Sequence, residues 1–199
     1  LRAIGFGEIW DKEGALHSLR LIAERAERRS RTWTTTVAPG IEAVLEVDED
    51  LSPSALIVRL HGQRQPLLVE EIEPPFLSGF TSLDGCPITP IRAAIQGETP
   101  DIEPRTLVAV EYAGFCDGVE PIEDRPYGME VDGDETRISG VLLRTAEVTN
   151  QITQEKAALS SLWLPGAVIP FCCGQADLPP PGTEVSVPMD LYVEFYQRL

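Results

Sequence analysis

Cys116 is the thiol of this chain best placed for chemistry. It stands in Glu111-Tyr112-Ala113-Gly114-Phe115-Cys116-Asp117-Gly118, a glycine-flanked stretch with turn character. A nucleophilic thiol needs a base in reach and a lowered pKa. His61, one of two histidines, is the candidate base, and Glu111 and Asp117 are the acids close to Cys116 in the chain. Those carboxylates oppose the role, because nearby negative charge raises a thiol's pKa. Cys116, His61, Glu111 and Asp117 are thus the candidate catalytic set of a small-molecule enzyme whose site assembles from distant strands. No Gly-x-Ser-x-Gly elbow occurs, and Gly5-Phe6-Gly7 lacks the third glycine or the lysine that a phosphate cradle needs.

Metal chemistry has few ligands to draw on. His17 and His61 are the only histidines, and no Cys-x-x-Cys or His-Glu-x-x-His is present. His17 falls on a helix flank and His61 on the polar side of a strand, so both read as surface histidines. Cys172-Cys173 lies in the apolar run Val168-Ile169-Pro170-Phe171. Adjacent side chains on a strand point apart, so the two thiols read as buried small hydrophobes rather than a shared metal site. Asp48-Glu49-Asp50 and Glu130–Glu135 keep only fragments of a calcium loop and read as turns between strands. The residues imply no metal and no cofactor.

The preferred reading is a non-enzymatic binding or assembly module. Trp163, Leu164, Val168, Ile169 and Phe171 sit beside a Pro-rich connector, Pro179-Pro180-Pro181-Gly182, and form a candidate surface for a protein partner or self-association. An edge strand carrying Tyr192 and Tyr196 would pair with another chain. Net charge is −16, with +2 through Arg31 and −18 beyond it. Such acidity repels phosphate backbones and argues against nucleic acid and anionic membrane as partners. The longest apolar runs fall far short of the ~20 residues of a membrane span, and no signal peptide is visible. With four scattered cysteines as well, the expected location is cytoplasmic.

The elements that must position these residues read as follows. Val185, Val187, Met189, Leu191, Val193 and Phe195 alternate with Ser186, Pro188, Asp190, Tyr192 and Glu194, which predicts a long strand with one dry face. Pro188 places it at an edge or a bulge. Leu16, Leu19, Ile22, Ala23 and Ala26 predict an amphipathic helix over Lys12–Arg29, capped by Asp11 with Trp10 in the staple position. Thr32 to Val148 reads as closely spaced strands. Pro87–Pro104 is either a short helix or an extended crossing, and Gln154–Leu162 is helix-compatible. With no repeat and no long linker, residues 1–199 form one domain. The expected fold is α+β: a largely antiparallel sheet of about seven to nine strands, with the N-terminal helix packed on one face.

Three stretches carry a family resemblance: Leu1-Arg2-Ala3-Ile4-Gly5-Phe6, Pro75-Phe76-Leu77-Ser78-Gly79 and Glu111–Asp117. In this order they resemble an uncharacterised clostridial family, a domain of unknown function with an LRAIGF-like opening. The resemblance covers the first two-thirds of the chain and does not extend past Val148. It implies a cytosolic protein of a Gram-positive gut bacterium. It supplies no activity and no catalytic residues. Gly5, Gly79 and Gly114 would mark tight turns or close backbone approach.

Overall fold

The computed structural model describes residues 2–6, 12–50, 53–122, 126–132, 135–175 and 177–196. A 3-10 turn over Arg2–Ile4 precedes the one α-helix among the described residues, α1 (Lys12–Arg25). The Asp11 cap and the Trp10 staple lie outside those residues. The helix stops four residues earlier than its charge pattern predicts, because Ser30 takes a left-handed turn (φ 54°) and folds Glu27–Arg29 back as a strand, β1. Arg28 then stacks over the Trp33 ring at 4.3 Å. Arg31 reaches Glu49, and Glu27 pairs with Arg29.

Strands β1, β2 (Thr32–Ala38), β3 (Ile41–Val47) and β4 (Pro53–Leu60) form an antiparallel meander of four strands. Its inner face carries Trp33, Val37, Ile41, Ala43, Leu45 and Leu60. Ile22 of α1 packs into that layer and is fully buried, while Leu16 stays exposed. Only the helix's C-terminal half covers the sheet.

The second sheet has eleven strands. Strands β5 (Gln65–Glu73), β6 (Phe76–Leu83) and β7 (Cys86–Ile95) form a meander, and β8 (Thr106–Cys116) returns to pair with β5. The last described strand, β15 (Asp190–Tyr196), pairs antiparallel with β8 and parallel with β7. That double pairing closes five strands into a barrel, in the circular order β5-β6-β7-β15-β8. Leu67, Val69, Leu77, Ile91, Ala93, Val108, Val110, Tyr112, Leu191 and Val193 belong to its packed core. Closure removes the edge at which β15 would have paired with another chain.

Beyond β8 the sheet continues through β13 (Ala167–Cys173), β12 (Lys156–Leu164), β11 (Glu135–Thr149), β14 (Glu184–Pro188) and β9 (Glu120–Pro121), with β10 (Gly128–Asp132) hairpinned onto β11. The small sheet packs on the outer face of this assembly, against Ala113, Val148, Ala157 and Cys172. Arg59 of β4 bonds Glu194 of β15 at 2.6 and 2.8 Å and lies 3.6 Å from Glu42, tying the meander to the barrel.

The α+β expectation is therefore corrected: the chain is mostly β, with fifteen strands among the described residues and two parallel pairings. Two segments account for the difference. Pro87–Ile95, within the stretch read as either a short helix or an extended crossing, takes the extended form as a strand of the barrel. Gln154–Leu162 is loop followed by β12, which lies between β11 and β13 and buries side chains on both faces. A strand buried on two sides loses its alternation, and tertiary packing overrides its helix propensity.

The C-terminal alternation holds, but over two strands rather than one. Val185, Val187, Met189, Leu191 and Val193 are buried and Phe195 is half-buried. The chain bends after Pro188, leaving β14 in the outer sheet and starting β15 in the barrel. The Met189 N–H donates to the Thr136 carbonyl at 2.8 Å to hold the corner.

Candidate functional site

Sequence-distant segments meet where the barrel ends. Register places Asp190, the first residue of β15, opposite Phe115, next to last on β8. Two concavities flank that pair. One, of about 660 Å³, is lined by Ala3, Phe115, Cys116, the Asp117–Glu120 turn, Pro188 and Asp190. The other, of about 400 Å³, lies between the small sheet and the barrel and is lined by Ile4, Glu46, Ile57, Gln96, Phe115, Asp190 and Tyr192, among others. Phe115 and Asp190 line both, and these two adjoining hollows make up the candidate groove. Phe115 and Tyr192 meet edge to face, with centroids 5.7 Å apart, and give it an aromatic floor.

Four carboxylates line the groove: Glu46, Asp117, Glu120 and Asp190. No lysine, arginine or histidine does so among the described residues. Glu120 is bonded to Arg137. Neither Asp190 nor Glu46 has an ion-pair partner among the described residues. Burial and then the Asp190 charge raise the Tyr192 phenol above its ordinary pKa, so it stays a neutral donor.

The 3-10 turn forming one wall is held by Asn150, which is almost fully buried. Its amide donates to the Ile4 and Gly5 carbonyls at 2.8 and 3.0 Å, and its carbonyl accepts from Ile152 and Thr153 N–H at 2.8 and 3.1 Å. Cys172 adds a thiol donation to the Ala3 carbonyl at 2.9 Å. Gly114 leaves the space that Met189 and Phe171 fill: a Cβ there would meet the Met189 sulfur at 2.3 Å.

The residues proposed for catalysis do not converge. Cys116 is buried against the first concavity, whereas His61 is exposed in a different hollow with Gln65, Arg144 and Ser161. Glu111 precedes Cys116 by five positions on β8, about 17 Å along the strand and on its opposite side. Its carboxylate is engaged by Arg64 at 3.5 Å and by the Tyr196 hydroxyl at 3.2 Å. Asp117 lines the groove. The Cys173 sulfur and burial raise the Cys116 thiol well above the ordinary range, opposite to what a nucleophile needs.

The apolar docking surface is corrected in part. Leu164, Ile169 and Phe171 are fully buried in the main core, whereas Trp163 is 39% exposed and stacks edgewise with Tyr127. The strand carrying Val168, Phe171 and Cys172 is paired on both edges at Phe171–Cys173, so it offers no free edge there to a partner. Tyr192 belongs to the groove. Tyr196 sits half-buried beneath Arg64, 4.1 Å from its ring centroid. Asp48 Oδ1 accepts the Asp50 N–H at 3.0 Å, an ordinary turn, and among the described residues no three His, Cys, Asp or Glu side chains are grouped to hold a metal ion.

Phe115 reads from sequence only as part of the stretch around Cys116 and Asp190 only as a polar-side residue of the C-terminal strand, and Glu46 and Gln96 carry no signal. They meet only through barrel closure. Two of the three resembling stretches reach the groove, through Ala3 and Ile4 and through Phe115 to Asp117, whereas Phe76 lines a separate hollow with Arg92. No protein-family model matches the chain, and neither a curated protein nor a solved structure does so. No helix among the described residues is long and apolar enough to cross a membrane.

Proposed function

We propose that this protein is a non-catalytic binding module whose groove takes a small organic cation with an aliphatic body, of the polyamine class. One observation carries the reading: the groove pairs an aromatic floor, Phe115 and Tyr192, with Asp190 and Glu46, carboxylates that have no ion-pair partner among the described residues. An ammonium group is held by carboxylates and by aromatic faces, and its methylene chain lies along apolar walls such as Ile57 and Ile4. Volumes of about 660 and 400 Å³ fall in the range of small-molecule sites. The overall charge of −16 draws cations toward the groove.

The enzymatic alternative rested on Cys116 and His61 acting together, and their separate surroundings remove its support. Self-association through β15 loses its basis with barrel closure. A cytoplasmic location remains part of the proposal and is supported by four free thiols. The kinship with the uncharacterised clostridial family is likewise a proposal, supported by the three resembling stretches. A thermal-shift series with spermidine, putrescine, citrate and a neutral diol tests the ligand class. Stabilisation by the two amines alone is the expected outcome. Equal response to citrate, or none to the amines, rejects the reading.

A further inference from the structure

We propose that Cys116 and Cys173 form a dithiol that peroxide converts to an intramolecular disulfide, a modification site independent of what the groove binds. The topology supplies the pair. β8 and β13 run parallel at their C-terminal ends in the register Phe171 with Gly114, Cys172 with Phe115 and Cys173 with Cys116. Opposed residues on neighbouring strands sit about 5 Å apart, within the Cα separation a disulfide spans. Both thiols belong to the main core, so they share a face of the sheet. Cys172 belongs to the second core on the other face, where its thiol is engaged by the Ala3 carbonyl. The register therefore selects one partner of the three buried cysteines.

Access and ionisation divide between the two sulfurs: Cys116 borders the concavity, and the fully buried Cys173 is the more readily ionised of the pair. Cys116 lines the 660 Å³ concavity, which admits a molecule the size of hydrogen peroxide. Each cysteine ends its strand, and the Gly174 N–H donates to the Cys116 carbonyl at 3.0 Å, holding the ends together. The thiols interact directly: Cys116 keeps its proton, while its proximity and then the Gln175 backbone favour the Cys173 thiolate. Disulfide formation starts from whichever thiol of a pair ionises more readily, and here that is Cys173.

The chemistry balances with peroxide as the oxidant. The thiolate sulfur attacks one peroxide oxygen, the O–O bond breaks, and hydroxide leaves and takes up a proton as water. The resulting sulfenic acid is attacked by the partner sulfur. The S–S bond forms, the S–O bond breaks, and the departing hydroxide takes the partner's thiol proton to give a second water. Two electrons pass from the two sulfurs to the peroxide.

The test uses the full chain with Cys86, the exposed thiol, replaced (Cys86→Ser). Folded protein is exposed to hydrogen peroxide, then denatured and alkylated, and its intact mass and peptides are read. Three thiols remain in that variant. The expected result is a loss of about 2 Da before alkylation, one alkylated cysteine, identified as Cys172, and a Cys116–Cys173 linked peptide that dithiothreitol releases. Adding Cys172→Ala should leave the linkage in place. Three alkylated cysteines, a Cys172–Cys173 linkage, or only sulfinic products would overturn the proposal.

Discussion

At the scale of single residues, the most informative group is the Tyr112 hydroxyl. It is buried in the barrel core with no hydrogen-bond partner among the described residues, and burial raises its pKa well above that of a free phenol. An unpaired buried hydroxyl costs stability, so Tyr112→Phe should stabilise the fold by about 1 kcal/mol, read as a higher urea midpoint at unchanged slope. Cys172 sets an alkaline limit. Burial, then Cys173, push its thiol up to about 12. The unfolded chain ionises its thiols near the ordinary value of about 8.5 while the folded chain keeps this proton, so stability is intact below that value and falls as pH rises toward 12. Cys172→Ala should flatten the fall in urea midpoint above about pH 9. A midpoint that drops equally in both proteins would place the alkaline loss elsewhere.

Among elements, the loop at Asn150 ties the wall of the groove to the β11–β12 hairpin. Asn150→Ala removes four hydrogen bonds and leaves the Ile4 and Gly5 carbonyls without that donor. The expected cost is about 2 to 4 kcal/mol, together with weaker amine binding, because the 3-10 turn forming the groove wall loses its anchor. Unchanged stability in urea titration would show that the turn is held without it. The same loop explains what sequence leaves unread. The helix-compatible stretch Gln154–Leu162 begins inside this loop, yet the loop's geometry is set by carbonyls about 145 positions away. Helix α1 and the alternating face from Val185 to Val193 were legible because their periods are local. The bend after Pro188 was not, since it depends on β14 and β15 choosing different partners. Asp190 and Phe115 become neighbours only through that choice.

For the molecule as a whole, closure of β15 onto both β7 and β8 completes the barrel, the β8–β13 pairing continues it into the outer sheet, and Arg59 with Glu194 ties the small meander to it. The groove lies at that junction, and its acidic, aromatic character is a property of the assembled fold rather than of any motif. In the proposed complex, Asp190 and Glu46 hold a cation over Phe115 and Tyr192. The direct measurement is isothermal titration of spermidine into the native protein, the Asp190→Asn/Glu46→Gln double variant, and Phe115→Ala. Each carboxylate is expected to contribute on the order of 0.5 to 1 kcal/mol, so the double variant should bind about tenfold more weakly, with affinity in the native protein falling as salt rises. Binding that is indifferent to both carboxylates and to Phe115, or absent in the native protein at low salt, contradicts the account.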